Sequence, residues 1–391
     1  MLLAFTAGFA MSQAFRTVAA ILAPPLQRDF GLTPGELGLF AGAFHFSFGA
    51  LQLFMGLGID VWGTRRTMLA VFPLAIVGAL LASVAQGFGG LVAGQVLIGI
   101  GCAPAFVVCT VFVATRYPAE RFAALSGLVM GLGGAGLLLT GTPLAWVVEQ
   151  WSWRTGFQAL AVGAALAWLA VLLLVREAPE PPGGRTRPGV LAALRGYGAL
   201  FTLAHTWGIV ALALVTYAAF LALRGLWLGP LLVDRHGFGL VASGHVALAV
   251  SVVGMFGPPL FGRIDPGERL RRRWIAIGTL SVAAMYAVLA FSRSAAIDVG
   301  LSVVMSLVAG YIILQYADVK SAYPAHMTGR AMAVFTMAMF LGVAFVQWLT
   351  GLAASVATAQ GWDPYAWVFG LVTLLLLAGT WAFVALPAPR R

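Results

Sequence analysis

The sequence predicts an all-α membrane protein of twelve transmembrane helices, built as two repeated six-helix bundles. Three observations lead there. Hydrophobic residues make up 61% of the chain and charged residues only 9%, against roughly 25% charged in soluble domains. Apolar runs of about 20 residues, the length that crosses a bilayer as a helix, follow one another from end to end. Short markers in the first half recur in the second at a nearly constant offset. The runs are continuous rather than alternating, so helices and not barrel strands are expected. A soluble globular domain is excluded.

In order, the runs place helices at 2–26, 36–58, 67–87, 91–114, 122–147 and 154–176, then at 205–232, 242–262, 274–292, 297–318, 331–353 and 364–386. Between the sixth and seventh lies the longest polar interruption, containing Glu180-Pro181-Pro182-Gly183-Gly184-Arg185. Its Pro/Gly and charge content reads as a linker. The expected organisation is a first bundle at 1–176, a linker at 177–204 and a second bundle at 205–391. The first run is too long and lacks the basic start of a cleavable signal peptide. Cys102 and Cys109 are seven residues apart on one helix, about 10 Å along its axis. That is too far for a disulfide, and both read as packing residues.

The net charge of +10 raises the question of a nucleic-acid partner, and its distribution answers it. With the N-terminus placed in the cytoplasm, 17 of the 23 Lys and Arg residues fall on the cytoplasmic side and four in outer loops. The four are Arg28, Arg154, Arg235 and Arg293. This is the positive-inside asymmetry of a membrane protein with both termini cytoplasmic, and no nucleic acid is implied. One lysine against 22 arginines points to a GC-rich bacterial genome, hence a bacterial inner (plasma) membrane. The other two arginines, Arg16 and Arg224, lie inside helices.

The repeats have three markers. Arg16 precedes Phe30 by 14 residues, and Arg224 precedes Phe238 by the same 14, an offset of 208. Gly56 with Asp60 is echoed by Gly262 with Asp265. Tyr117-Pro118-Ala119 returns as Tyr323-Pro324-Ala325 at an offset of 206. Duplicated six-helix halves with a site between them at mid-membrane are a recurrent transporter plan.

After the second helix the chain reads Gly56-Leu57-Gly58-Ile59-Asp60-Val61-Trp62-Gly63-Thr64-Arg65-Arg66. This resembles the signature of the major facilitator superfamily, Gly-x-x-x-Asp-(Arg/Lys)-x-Gly-x-(Arg/Lys), and the resemblance extends over essentially the whole chain. Gly56, Asp60, Gly63 and Arg65 match. Val61 stands where the family has a basic residue, and Thr64 where an arginine is frequent. The resemblance implies that these residues form part of a lock between the halves in the outward-facing state, with Asp60 and Arg65 as gating residues. The fifth helix carries Gly127, Gly131, Gly133, Gly134, Gly136 and Gly141-Thr142-Pro143. It is similar to the glycine-rich fifth helix of family antiporters but lacks their Gly-Pro-x-x-Gly spacing. Close helix packing explains it.

An arginine at a helix centre costs about 2.5–3.5 kcal/mol on insertion scales. Arg16 and Arg224 lie near the middle of helices one and seven, at equivalent positions, so both are expected at one central cavity. No carboxylate is placed deep in the membrane: Asp60 and Asp318 fall near the cytoplasmic ends, and Glu36, Glu149 and Asp298 near the outer ends. The planar guanidinium fork suits carboxylate or phosphate, and a pair of forks reads as an anion clamp. The pairing looks like that of organic-phosphate transporters of this superfamily, though the neighbouring residues do not match. The competing reading has each arginine bonding helix carbonyls or snorkelling to an interface. Gln13 precedes Arg16 by a turn. Tyr217 and Trp227 flank Arg224 at i−7 and i+3, roughly on its face. His45 on the second helix bonds substrate, carries a proton, or only packs. Gln347 on helix eleven joins the site, and Gln315 and Tyr316 on helix ten are weaker candidates.

Met332, Met337 and Met339, near His326 and Met327, do not stack on one face, so no soft-metal path and no metal site is expected. Phosphate loop, zinc pattern and nucleophile elbow are missing, so neither enzyme chemistry nor a cofactor is expected. The preferred expectation is a monomeric secondary transporter moving a small organic anion by alternating access, by exchange or with a proton. The rivals are a proton-driven exporter of hydrophobic or cationic compounds, and a membrane sensor or assembly factor that has lost transport.

Overall fold

The computed structural model describes residues 1–176 and 197–387. Most of the expected linker, 177–196, lies outside the described residues, and so do the side chains of Asp60 and His326. Among the described residues the architecture is helical throughout, and it forms twelve membrane-crossing helices.

The first, α1, is made of Leu2–Thr17 and Ala19–Phe30, interrupted at Val18. Next, α2 (34–62) and α3 (64–83) are joined by a reversal at Gly63, whose φ of 79° suits glycine. A capping box starts α2: the Thr33 hydroxyl accepts from Glu36 N, the Glu36 carboxylate accepts from Thr33 N, and Pro34 sits in the first turn. The other helices of the first half are α4 (Phe88–Arg116), α5 (Ala119–Leu139 and Thr142–Gln150) and α6 (Trp153–Leu174). The second half contains α7 (Ala204–Arg235), α8 (Leu240–Arg263) and α9 (Glu268–Phe291), then α10 (Ala295–Ala322), α11 (Ala325–Ala359) and α12 (Pro364–Ala385). By length and composition alone, ten of these can cross a membrane; α1 and α2 complete the twelve.

Several helices run further than hydropathy suggests. Helix α9 begins at Glu268 rather than 274, and α11 at Ala325 rather than 331. Apolar content marks the hydrocarbon thickness, whereas backbone hydrogen bonding continues past it through charged residues at the interface.

The duplication is written in the backbone. Glycines of left-handed conformation end α1 at Gly31 (φ 62°) and α7 before α8 at Gly237 (φ 67°). Another pair turns α2 into α3 at Gly63 and α8 into α9 at Gly267, each with φ 79°. Side chains repeat as well. Arg65, opening α3, donates to the Leu172 carbonyl near the end of α6 (3.0 Å), and Arg272, opening α9, donates to the Phe383 carbonyl near the end of α12 (2.8 Å).

The end of the molecule that holds Met1 and the α2–α3 turn is called the near end, and the opposite one the far end. The halves meet along the far part. A methyl on Gly42 of α2 would stand 2.9 Å from the Ala344 carbonyl oxygen of α11, and one on Gly351 of α11 would stand 2.7 Å from the Pro34 carbonyl oxygen. Gly244 of α8 lies equally close to Ala145 of α5. Toward the near end the same helices diverge. A methyl added to Gly56, Gly127, Gly131 or Gly262 would meet no neighbouring atom within 4 Å, and Leu128, Met130 and Leu132 of α5 are exposed. The α2–α11 and α5–α8 contacts are thus tight in the far part and looser toward the near end. Apolar side chains such as Leu166, Leu173, Phe291 and Trp381 cover the outer faces, as a lipid environment requires.

Candidate functional site

The two intrahelical arginines both reach across from one half to the other, and they do so differently. Arg16 stands at the end of the first piece of α1, two residues before the break at Val18. Its guanidinium lies between two aromatic rings, 5.0 Å from the Phe48 centroid and 4.7 Å from that of Phe340. Nη1 donates to the Tyr217 hydroxyl of α7 at 3.1 Å. Nε is buried and has no partner. Cation–π contact replaces part of the lost hydration without using an N–H, so this arginine keeps donor capacity in hand.

Around it lie further polar atoms without partners. His45 Nδ1 is bonded to the Ala41 carbonyl (3.1 Å), its ring stacks toward Phe340 at 6.4 Å, and its Nε2 is buried and unpaired. Gln347 gives Nε2 to the Leu221 carbonyl (3.2 Å), while its Oε1 is unpaired. Gln13 Oε1 and Ser12 Oγ are unpaired too. Buried polar atoms are nearly always satisfied, since each orphan costs about 1–3 kcal/mol. Polar atoms from α1, α2 and α11 thus gather near one cation, with His45 and Gln347 facing each other and Ser12 facing Cys102.

Arg224 is different. It is fully buried and lies on a stretch of α7, Leu223–Trp227, wound as a π-helix in which the Leu228 amide donates to the Leu223 carbonyl. Such bulges recur at functional places in helices. Nε donates to Ser251 Oγ of α8 at 2.9 Å, and Nη2 to the Leu137 carbonyl of α5 at 3.0 Å, with Thr140 Oγ1 at 3.4 Å. That carbonyl is available because α5 breaks just beyond it: the Gly141 amide turns to the Leu138 carbonyl at 3.1 Å. Thr140 also bonds Thr17 of α1 at 2.6 Å. The arginine therefore ties α1, α5, α7 and α8 together, and only its Nη1 is unpaired.

The structure brings Arg16, Tyr217, His45 and Gln347 together, with Gln13 a turn away. It places Trp227 elsewhere: the indole N–H donates to Thr350 Oγ1 (2.9 Å), and the ring packs edge-on against Tyr365 of α12. The π turn widens the helix, so position i+3 no longer shares the face of Arg224. Gln315 bonds Thr216 and lines a small cavity of about 10 Å³ with Asp318, Phe335 and Phe383. Tyr316 packs edge-on against Phe335. Arg65 holds the α6 carbonyl described above. Gly63 makes the α2–α3 turn, Gly56 lies at the near end, and the Asp60 side chain is outside the described ones.

Phe48, Phe340, Thr140 and Ser251 are members that sequence reasoning missed. Phe48 follows His45 by three residues and Phe340 precedes Gln347 by seven, so both share a helix face with a candidate already named. Asp298 and Asp318 lie at the ends of α10 but are buried, since each is paired within the second half. Asp298 takes His236 Nε2 at 2.7 Å and Arg235 at 3.6 Å, and Asp318 takes Arg272 at 3.4 Å.

Comparison with known proteins adds the family. Residues 4–347 match the model of the Major Facilitator Superfamily. The chain is similar to a hexuronate transporter of Bacillus subtilis (strain 168), at 23% identity over 253 residues, which is 62% of this chain and 58% of that protein. It is 28% identical over 267 residues to the puromycin resistance protein pur8 of Streptomyces alboniger, covering 63% of this chain and 51% of the other. The matched region thus spans about three fifths or less of these relatives' length. Among solved structures, a D-xylose–proton symporter superposes over 100% of this chain and 98% of its own, with a TM-score of 0.77 at 17% identity.

Proposed function

The chain belongs to the Major Facilitator Superfamily, and from that premise we propose that it is a secondary transporter that moves a small organic anion by alternating access, with Arg16 as the anion's anchor. The carrying observation is the state of Arg16: a buried cation holding an unpaired Nε donor, with the acceptor atoms Gln13 Oε1, His45 Nε2 and Gln347 Oε1 nearby. A carboxylate or phosphate oxygen takes the free donor in a charge-assisted hydrogen bond, while the amides and the imidazole suit hydroxyl groups on the same molecule. The hexuronate handled by the Bacillus subtilis relative has that composition, a carboxylate with hydroxyls. Within this reading the far end faces outside and the near end faces the cytoplasm, in keeping with the 17-to-4 arginine and lysine asymmetry. The site is then open inward. Rocking of 1–176 against 205–391 about the Arg224 contact would expose it outward, and Asp60, Gly56, Gly63 and Arg65 would shape the near-end closure.

A second reading, export of hydrophobic or cationic compounds, is favoured by the aromatic lining of Phe48, Phe340 and Tyr217 and by the similarity to pur8. It requires ligands that tolerate the Arg16 charge. Thermal stabilisation of the purified protein by a panel of organic anions and cations separates the two, because ligand binding raises the midpoint with occupancy. Anions are expected to raise it in wild type and not in Arg16→Ala. Stabilisation by lipophilic cations alone would replace the anion reading with export.

A further inference from the structure

Helix α9 opens with Glu268-Arg269-Leu270-Arg271-Arg272-Arg273-Trp274, and its four arginines divide into two inward and two outward. Arg271 is buried: Nε and Nη2 grip Asp265 at 3.1 and 2.8 Å, and Nη1 reaches the Ala317 carbonyl at 3.4 Å. Arg272 holds the Phe383 carbonyl and Asp318, with its guanidinium 3.8 Å from the Phe383 centroid. Arg269 and Arg273 are exposed. They stand four residues apart, on one stripe of the helix. The stripe continues through Ile277, Leu280 and Val288, all exposed and apolar, so it is the face that α9 turns to lipid. Leu270 and Trp274 are exposed beside the two arginines, at the level where tryptophan anchors a helix in the headgroup region.

We propose that Arg269 and Arg273, with Trp274 between them and the acyl chains, form a binding site for the headgroup of an anionic phospholipid. Two guanidinium groups at the top of a lipid-facing stripe meet a phosphate from above while the chains lie along Ile277 and Leu280. The N-terminal end of a 24-residue helix adds its own partial positive charge, against which Glu268 in the first turn works. The first half offers no equivalent pair: where Arg65 corresponds to Arg272, Trp62 stands at the place of Arg269. The site belongs to the second half alone and ties the α8–α9 turn to the membrane surface.

The test uses the full-length protein in neutral detergent, titrated with phosphatidylglycerol or phosphatidylcholine and read as bound lipid by native mass spectrometry. Wild type is expected to prefer phosphatidylglycerol. The doubly substituted Arg269→Gln, Arg273→Gln protein should bind it about 25-fold more weakly, at roughly fivefold per arginine. Arg269→Lys with Arg273→Lys should keep most of the affinity, which separates charge from folding. Equal binding of the two lipids, or unchanged binding by the Gln variant, overturns the proposal. So does competition by soluble glycerol phosphate at concentrations matching the lipid, which would make the ligand a free anion instead.

Discussion

Arg16 and Arg224 occupy equivalent places in the two halves, yet their surroundings have opposite logic. Arg16 is held by ring faces and one tyrosine hydroxyl, which leave it a free donor. Arg224 is held by a serine, a threonine and a helix carbonyl, the last two from the other half. In the proposed function, the same residue type at equivalent positions serves once for an exchangeable partner and once for a permanent one, and the breaks in α1, α5 and α7 set the two apart.

The largest effect is expected at Arg16. Replacing it with alanine should weaken anion binding by about 10- to 100-fold, since a hydrogen bond to a charged group is worth about 1.5–3 kcal/mol; isothermal titration with the anion identified in the panel measures this. The thermal midpoint without ligand should stay close to that of wild type, because Arg16 satisfies only one protein hydroxyl. At Arg224 the pattern reverses. Arg224→Met should keep anion affinity within a few-fold while costing about 1–3 kcal/mol of stability through the lost hydrogen bonds to the Leu137 carbonyl and Ser251, visible as a lowered midpoint. Equal loss of binding in both variants would show that the two arginines act as one clamp.

The tight and looser ends give a second contrast. Gly42→Leu overfills the α2–α11 contact at Ala344, where overpacking costs about 1–3 kcal/mol. It should shift the protein toward a far-side-open state, raising thiol labelling of a cysteine placed at Gly35. Gly131→Leu, in the open part of α5, should leave that labelling unchanged. The smallest effect concerns Asp265, whose carboxyl is held below the usual carboxylate range by hydrogen bonds from Arg271. A depressed value stabilises the fold above the unfolded pKa of about 3.9 and is lost as pH falls through the folded value. Asp265→Asn should therefore lower the midpoint slightly at pH 7 and make no difference near pH 2.

Much of the fold was legible in the sequence because its determinants are local. Apolar length sets the helices, and Gly31, Gly63, Gly237 and Gly267 mark turns that only glycine adopts readily. Arg16, His45 and Gln347 were legible because polar side chains within apolar runs are conspicuous. The division of labour was not. A π turn has no residue signature, so the rotation of Trp227 away from Arg224 could not be anticipated. The Leu137 carbonyl can take Arg224 because α5 breaks at Thr140-Gly141, just before Pro143, but that an arginine of the other half would use it depends on how α5 and α8 pack. Burial of Asp298 and Asp318 was hidden for a similar reason: their partners, His236, Arg235 and Arg272, come from distant helices.

Selection for negative charge by Arg16 can be measured by counterflow in proteoliposomes with two ligands that differ chiefly in charge. Galacturonate and galactose serve as the pair. Wild type should exchange the labelled acid and little of the neutral sugar, and Arg16→Ala should lose exchange of the acid. Equal exchange of acid and neutral sugar, or undiminished exchange of the acid by Arg16→Ala, would contradict that selection.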